Sequence, residues 1–183
     1  MRGVFISFES GDGGGKTTQI ELLVKYLAEK GFKVIKTREP GGIELAEALR
    51  NEVKHPDKQH TPEGELLLYS TARYLHMLYK IRPALEQGCI VITDRLHDST
   101  IAYQGHAGGI DLDYVKRVQE SALNGIKPGL TIYIDVDPEI GLSKSDKSEF
   151  KGRPDRLEAK GLEFHRKVRE GYLKIAKEEP ERI

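Results

Sequence analysis

Four of the five positions from 11 to 15 are glycine in the run "SGDGGGKTT", and Lys16, Thr17 and Thr18 follow at once. Glycines lack the Cβ that keeps backbone N–H groups apart, so successive amides can converge on one anion. If a helix opens at Lys16, the unpaired N–H groups of its first turn add partial positive charge at the same place. Lys16 would then reach the β- and γ-phosphates of a nucleoside triphosphate, and the Thr17 hydroxyl would ligate Mg²⁺. The strict form of such a loop, G-x-x-x-x-G-K-[ST], has glycine at position 10, where this chain has Ser10. Serine fits there if its φ is negative, with its hydroxyl available to cap the loop; a positive φ would cost about 1 kcal/mol. The expected phosphate cradle is therefore Ser10, Gly11, Gly13, Gly14, Gly15, Lys16, Thr17 and Thr18.

Two further polar clusters, "TREPGG" (37–42) and "DRLHDSTIAYQG" (94–105), each follow an apolar run. If those runs are parallel strands, both clusters sit at carboxyl ends, where open α/β sheets bind ligands. Arg38 and Arg95 would then point into one cleft, each able to fork onto a phosphate. Asp94 closes its strand as a carboxylate placed to hold Mg²⁺ through water.

These residues need elements to hold them. Residues 3 to 9 are apolar, β-branched and aromatic, and read as a buried strand. Ile20, Leu23, Val24 and Leu27 recur at helical spacing from Thr17 to Lys30. Residues 33–37, 89–93 and 130–136 read as further strands. Helices are expected over Ile43 to Glu52, Pro62 to Tyr79, 97–104, 111–123 and Lys160 to Lys177. Strands apolar on both faces and alternating with helices predict one three-layer α/β/α domain over residues 1–183, built on a parallel sheet. The polar stretch "SKSDKSEFKGRPDR" (143–156) reads as a mobile lid. Equal numbers of acidic and basic residues, 29 each, give no overall pull toward nucleic acid or a membrane surface. No signal-peptide pattern or membrane span is legible, so a soluble cytoplasmic protein is expected. Cys89, the only cysteine, is expected to pack as a small hydrophobe.

The chain resembles the thymidylate kinases, which are phosphate-loop nucleoside monophosphate kinases. That family's pattern is F-E-G-x-D-G-x-G-K-[ST]-T-Q, then T-R-E-P-G-G, then D-R-[YF]-x-x-S-x-x-A-Y-Q-G, then D-R-x-E after a lid. This chain reads "FESGDGGGKTTQ", "TREPGG", "DRLHDSTIAYQG" and "DRLE". The resemblance implies ATP and Mg²⁺ as donor and cofactor, dTMP as acceptor, and a homodimer. It puts Asp12 near the acceptor's 3′-hydroxyl, Arg38 and Arg95 on the acceptor phosphate, and Glu39 and Pro40 along the acceptor side. Tyr69 would stack on thymine and Arg73 would bond the base edge, while Ser99, Thr100, Tyr103 and Gln104 contact base and sugar. The dimer face is expected around Ile101 to Ala122. In the family a further strand and helix follow the point where this chain ends at Ile183.

Several positions depart from the pattern. Leu96 stands where an aromatic is usual, and Ala72 precedes Arg73 where an acid is common. Gly13 and Gly14 occupy the loop where one subtype carries an arginine, so the lid would supply the cation, from Lys144, Lys147, Lys151, Arg153 or Arg156. Lys151 and Arg153 compete for that role, and Arg156 belongs to "DRLE". The acceptor phosphate's second pKa is about 6, so no strong base is required and none of the histidines must be catalytic. A kinase for dUMP or a deoxynucleoside, a regulatory nucleotide-binding protein and a binder without turnover remain alternatives; the absence of an Asn-Lys-x-Asp guanine motif counts against a GTPase.

Overall fold

The structure is a computed structural model that describes residues 3–144 and 155–183. Its sheet has four parallel strands in the order β2–β3–β1–β4: β1 is Val4–Glu9, β2 Val34–Arg38, β3 Ile90–Asp94 and β4 Leu130–Tyr133. β1 and β3 are in register from Val4↔Ile90 to Phe8↔Asp94, so their carboxyl ends finish together. The chain leaves β1 in one direction for β2 and later returns to its other side as β4. That reversal opens the crevice in which this architecture binds ligands.

Helices cover both faces. α1 (Lys16–Glu29) follows the glycine-rich turn, with Gly15 as its N-cap at φ 82°. That left-handed conformation is open to glycine at little cost. α2 (Glu44–Lys54) and α3 (Pro62–His76) pack side by side; Thr61 caps α3 by accepting from the Gly64 N–H at 3.1 Å. The expected helix of 62–79 instead passes into a π-helical turn at Met77–Ile81 and then into α4 (Arg82–Glu86). α5 (His97–Thr100) likewise widens into a π-helical segment, Ile101–Ala107, before α6 (Leu112–Leu123). α7 (Pro138–Lys144) and α8 (Leu162–Glu178) complete the chain's long elements.

β4 ends at Tyr133, earlier than the 130–136 expected, although the Ile134 N–H still reaches the Glu9 carbonyl at 2.9 Å. On one side of the sheet Ile6, Phe8, Ile20 and Ile92 pack together, with Leu23, Val24 and Leu27 of α1 against them. On the other side lie Phe5, Met77, Ile81, Leu85, Val91, Leu96 and Cys89, which is buried and unpaired as expected. Leu96, in the place of the usual aromatic, is therefore an ordinary core side chain. Among the described residues no helix is long and apolar enough to cross a membrane. Lys147, Lys151 and Arg153 of the expected lid lie outside the described residues.

Candidate active site

A pocket opens beside the glycine-rich turn. It is lined by Asp12, Glu39, Pro40, Tyr69, Arg73, Arg95, Ser99, Thr100, Tyr103 and Gln104, joined by Arg50, Lys54, Asp155 and Leu157. Ten residues named from the sequence thus meet at one place. They come from the turn after β1, the loop after β2, α3, the turn after β3, and α5 with the π segment. Ser99 and Tyr103, like Thr100 and Gln104, are four residues apart and face the cavity together.

Arg95 organises this pocket. Its N–H continues the sheet ladder to the Phe8 carbonyl at 2.9 Å, and its φ of 70° turns the chain sharply out of β3. Its guanidinium donates to the Ser10 carbonyl at 2.8 Å, to Ser99 and Tyr172 hydroxyls at 3.2 and 3.1 Å, and to Asp12 Oδ1 at 2.5 Å. The Tyr103 ring lies beneath it at 5.1 Å, and the Tyr103 hydroxyl donates to Asp12 Oδ2 at 3.0 Å. Burial alone would raise the Asp12 carboxyl, but Arg95, Lys16 and His165 together bring it below its ordinary value. Asp12 therefore stays charged and spans the phosphate loop and the pocket wall.

Lys16 lies along the loop, with Nζ 3.4 Å from the Gly11 carbonyl and 3.9 Å from Asp94 Oδ1. Burial, reinforced by Arg95, lowers its amine to about 8. An anion on the loop amides would relieve both effects. Ser10 is fully buried and does not have positive φ, so the loop accepts it without backbone strain. Thr17 and Thr18 are exposed at the start of α1, and Asp94 ends β3 about a quarter exposed. Among the described residues no three His, Cys, Asp or Glu side chains cluster as a metal site. A hydrated Mg²⁺ carried by phosphates needs only one or two protein oxygens, and the Thr17 hydroxyl and Asp94 carboxylate fit that requirement.

The wall around Arg73 is a polar network. Arg73 is 3% exposed and donates to Glu39 Oε2 at 2.5 Å, to Thr100 Oγ1 and the Leu96 carbonyl at 3.0 Å, and to Gln119 Oε1. Glu39 also meets His76 Nδ1 at 2.9 Å, and Gln104 donates to Glu65 at 2.6 Å. Tyr69 is buried against this wall, where burial pushes its phenol up, so it presents a neutral ring to the cavity.

Two expectations need correction. Arg38 does not share the cleft with Arg95. It is half exposed and lines a separate open groove with Lys36, Gly42 and Lys80. Its Nε and Nη2 fork onto Glu47 of α2 at 3.1 and 2.8 Å. The cause is strand alternation: the neighbouring Thr37 side chain turns inward to His76 Nε2 at 2.7 Å, which sends Arg38 to the other face. Arg156 is also not aimed at the phosphate loop. Its Nε donates to the Val53 carbonyl at 3.1 Å and its Nη2 pairs with Glu65, which in turn holds Gln104. It supports the Gln104 side of the pocket through that relay.

Other contributors carried no role in the sequence reading. Glu9 accepts from the Leu96 N–H at 2.7 Å, Ser99 at 2.6 Å and Tyr172 at 3.1 Å, and so fixes the turn that aims Arg95. Burial and then Asp98 push its carboxyl up to about 7. Tyr172 and His165 approach from α8, His165 Nδ1 lying 3.7 Å from Asp12. Nothing local in the sequence ties α8 to the pocket. Arg50 and Lys54, four apart on α2, were in principle visible as a paired cationic face.

A parallel sheet with a phosphate loop after β1, a lysine at the head of α1 and a second, polar-lined pocket beside that loop defines a phosphate-loop nucleotide kinase. Residues 8–183 match the sequence profile of the family described as thymidylate kinase. The chain is 48% identical over 186 residues to thymidylate kinase of Geobacillus sp. (strain WCH70), spanning all of this chain and 87% of that protein. It is 42% identical over 183 residues to that of Clostridium novyi (strain NT), spanning all of this chain and 89% of that protein. The crystal structure of thymidylate kinase from Ehrlichia chaffeensis superposes with a TM-score of 0.79 at 37% identity, covering all of this chain and 91% of that one. The chain belongs to the thymidylate kinase family.

Proposed function

We propose that this protein transfers the γ-phosphoryl group of ATP to the 5′-phosphate of dTMP, giving dTDP and ADP, with Arg95 holding the acceptor phosphate opposite Lys16. The observation that carries this assignment is the span of Arg95 and Asp12 between the phosphate loop and the pocket lined by Tyr69, Arg73 and Tyr103. One oxygen of the acceptor phosphate forms the new P–O bond, and the bond from the γ-phosphorus to the β–γ bridging oxygen breaks, leaving its electrons on ADP. That acceptor oxygen is already ionised near neutral pH, so the chain has only to align the groups and stabilise charge. The loop amides and Lys16 take the donor's phosphates. Tyr69 stacks on the base, Arg73 and Gln104 meet its edge, and Tyr103 crowds the sugar where a 2′-hydroxyl would lie. Thr17 and Asp94 would hold Mg²⁺, which would supply charge neutralisation on the donor's phosphates. Lys151 or Arg153 is proposed as the cation that completes the site.

We further propose that the enzyme works in the cytoplasm as a homodimer. Ile101 and Ala122, at the ends of the first expected face, are buried within the protomer. α3 instead exposes Leu67 and Tyr74, seven residues apart on one side and 49% and 41% accessible. A coupled assay with ATP and Mg²⁺, run side by side on dTMP, dUMP and thymidine, tests the reaction. Turnover is expected to be highest with dTMP; phosphorylation of thymidine at an equal or greater rate would overturn the assignment.

A further inference from the structure

Ser10, where the phosphate loop departs from its pattern, touches Gly14. Gly14 is buried, and unlike Gly13 (φ 66°) and Gly15 (φ 82°) it does not need a left-handed backbone. Its want of a side chain therefore has another cause. A Cβ at position 14 would fall onto Ser10 Oγ, lie 2.9 Å from Ser10 Cβ and sit 3.2 Å from the Gly11 carbonyl, which would need to give by a few tenths of an ångström. Rotating the serine hydroxyl would remove the first clash but not the second. Ser10 in turn has a task. Its hydroxyl donates to the Gly11 carbonyl at 2.7 Å, the same oxygen that Lys16 Nζ approaches at 3.4 Å, while its own carbonyl accepts from Arg95 at 2.8 Å.

We propose that Ser10 and Gly14 are a matched pair: Ser10 is a positioning residue that holds the Gly11 carbonyl and leaves Lys16 to the donor's phosphates, and Gly14 is what makes room for it. With the hydroxyl on that carbonyl, Lys16 gives up only a weak contact when phosphate arrives. The pair rests on the reading of this loop as the ATP site, and its test separates the two.

Four proteins form the cycle: wild type, Gly14→Ala, Ser10→Gly and Ser10→Gly/Gly14→Ala. Titration with ADP and Mg²⁺ gives the dissociation constant, steady-state kinetics gives KM for ATP and dTMP, and thermal unfolding without nucleotide gives the same cycle in the free protein. Gly14→Ala is expected to weaken ADP binding at least tenfold and raise KM for ATP, while KM for dTMP stays within about twofold. Ser10→Gly alone should weaken ADP binding about three- to fivefold and raise KM for ATP while KM for dTMP stays, because Lys16 then returns to the Gly11 carbonyl; an unchanged ADP affinity would remove the positioning role. The double variant should return to within about twofold of Ser10→Gly in affinity and recover the Ser10→Gly unfolding midpoint. Ser10→Ala/Gly14→Ala keeps the Cβ contact at 2.9 Å and should recover only in part. A Gly14→Ala protein that fails to fold, rescued by Ser10→Gly, supports the pair equally. A double variant as impaired as Gly14→Ala, in binding and in unfolding alike, overturns it. If wild type bound no ADP, the donor-site reading would fall, and the unfolding cycle would still decide the pair.

Discussion

Arg73 and Glu39 carry opposite charges in a place almost closed to water, and each has other partners, so removing one strands the other. Arg73→Ala leaves Glu39 with only His76, and breaking such a buried pair costs about 3–5 kcal/mol. Urea unfolding of the variant should show a loss of that size, and its KM for dTMP should rise far more than its KM for ATP. Equal effects on both substrates would remove Arg73 from the base pocket. Glu9 makes a prediction in pH. Its carboxyl titrates at about 7 in the folded protein against 4.5 ordinarily, so the folded state binds its proton more tightly. The stability it contributes is complete below about 4.5 and declines as pH rises toward about 7. Against Glu9→Gln, wild type should therefore lose relative stability between pH 5 and 7, read as unfolding midpoints; a constant gap would contradict the shift. Arg95, Tyr103 and Gln104 were legible because one short motif carries all three. The partners of Arg38 and Arg156 were not, because Glu47 and Glu65 reach them from separate helices.

α7 lies directly on the phosphate loop. A Cβ on Gly141 would strike the Asp12 carbonyl, and one on Gly13 would strike the Gly141 carbonyl. Both obstacles are backbone and neither can swing aside. Gly141→Ala is accordingly expected to displace Asp12 and Gly13 and lower kcat/KM for ATP by tenfold or more, whereas Ser143→Ala, whose side chain is exposed, should be silent. Steady-state kinetics on the two variants checks this; an active Gly141→Ala enzyme would show that the contact is not needed. The alternation of strands and helices was readable from periodicity, since each run's apolar face is a local property. The π-helical turns at Met77–Ile81 and Ile101–Ala107 were not. Such widenings answer to packing from other elements, and helical spacing alone does not reveal them.

At the scale of the molecule, α3 faces two ways, presenting Tyr69 and Arg73 to the pocket and Leu67 and Tyr74 to the outside. If the proposed homodimer forms through α3, Leu67→Asp should lower the sedimentation coefficient from that of a dimer to that of a monomer while leaving the protomer folded; an unchanged coefficient would take the interface off α3. A parallel sheet was legible from its doubly apolar strands, but its order, β2–β3–β1–β4, depends on long-range pairing that periodicity does not encode. That order is what brings the ends of β1 and β3 together and sets Arg95 over the loop, leaving Arg38 in the neighbouring groove with Lys36 and Lys80. The central claim is that the acceptor's phosphate belongs to Arg95, and a crystal structure with ADP, Mg²⁺ and dTMP measures it directly. The account predicts the dTMP phosphate within hydrogen-bond distance of the Arg95 guanidinium and thymine against Tyr69. A phosphate seated in the Lys36–Arg38–Lys80 groove would contradict it.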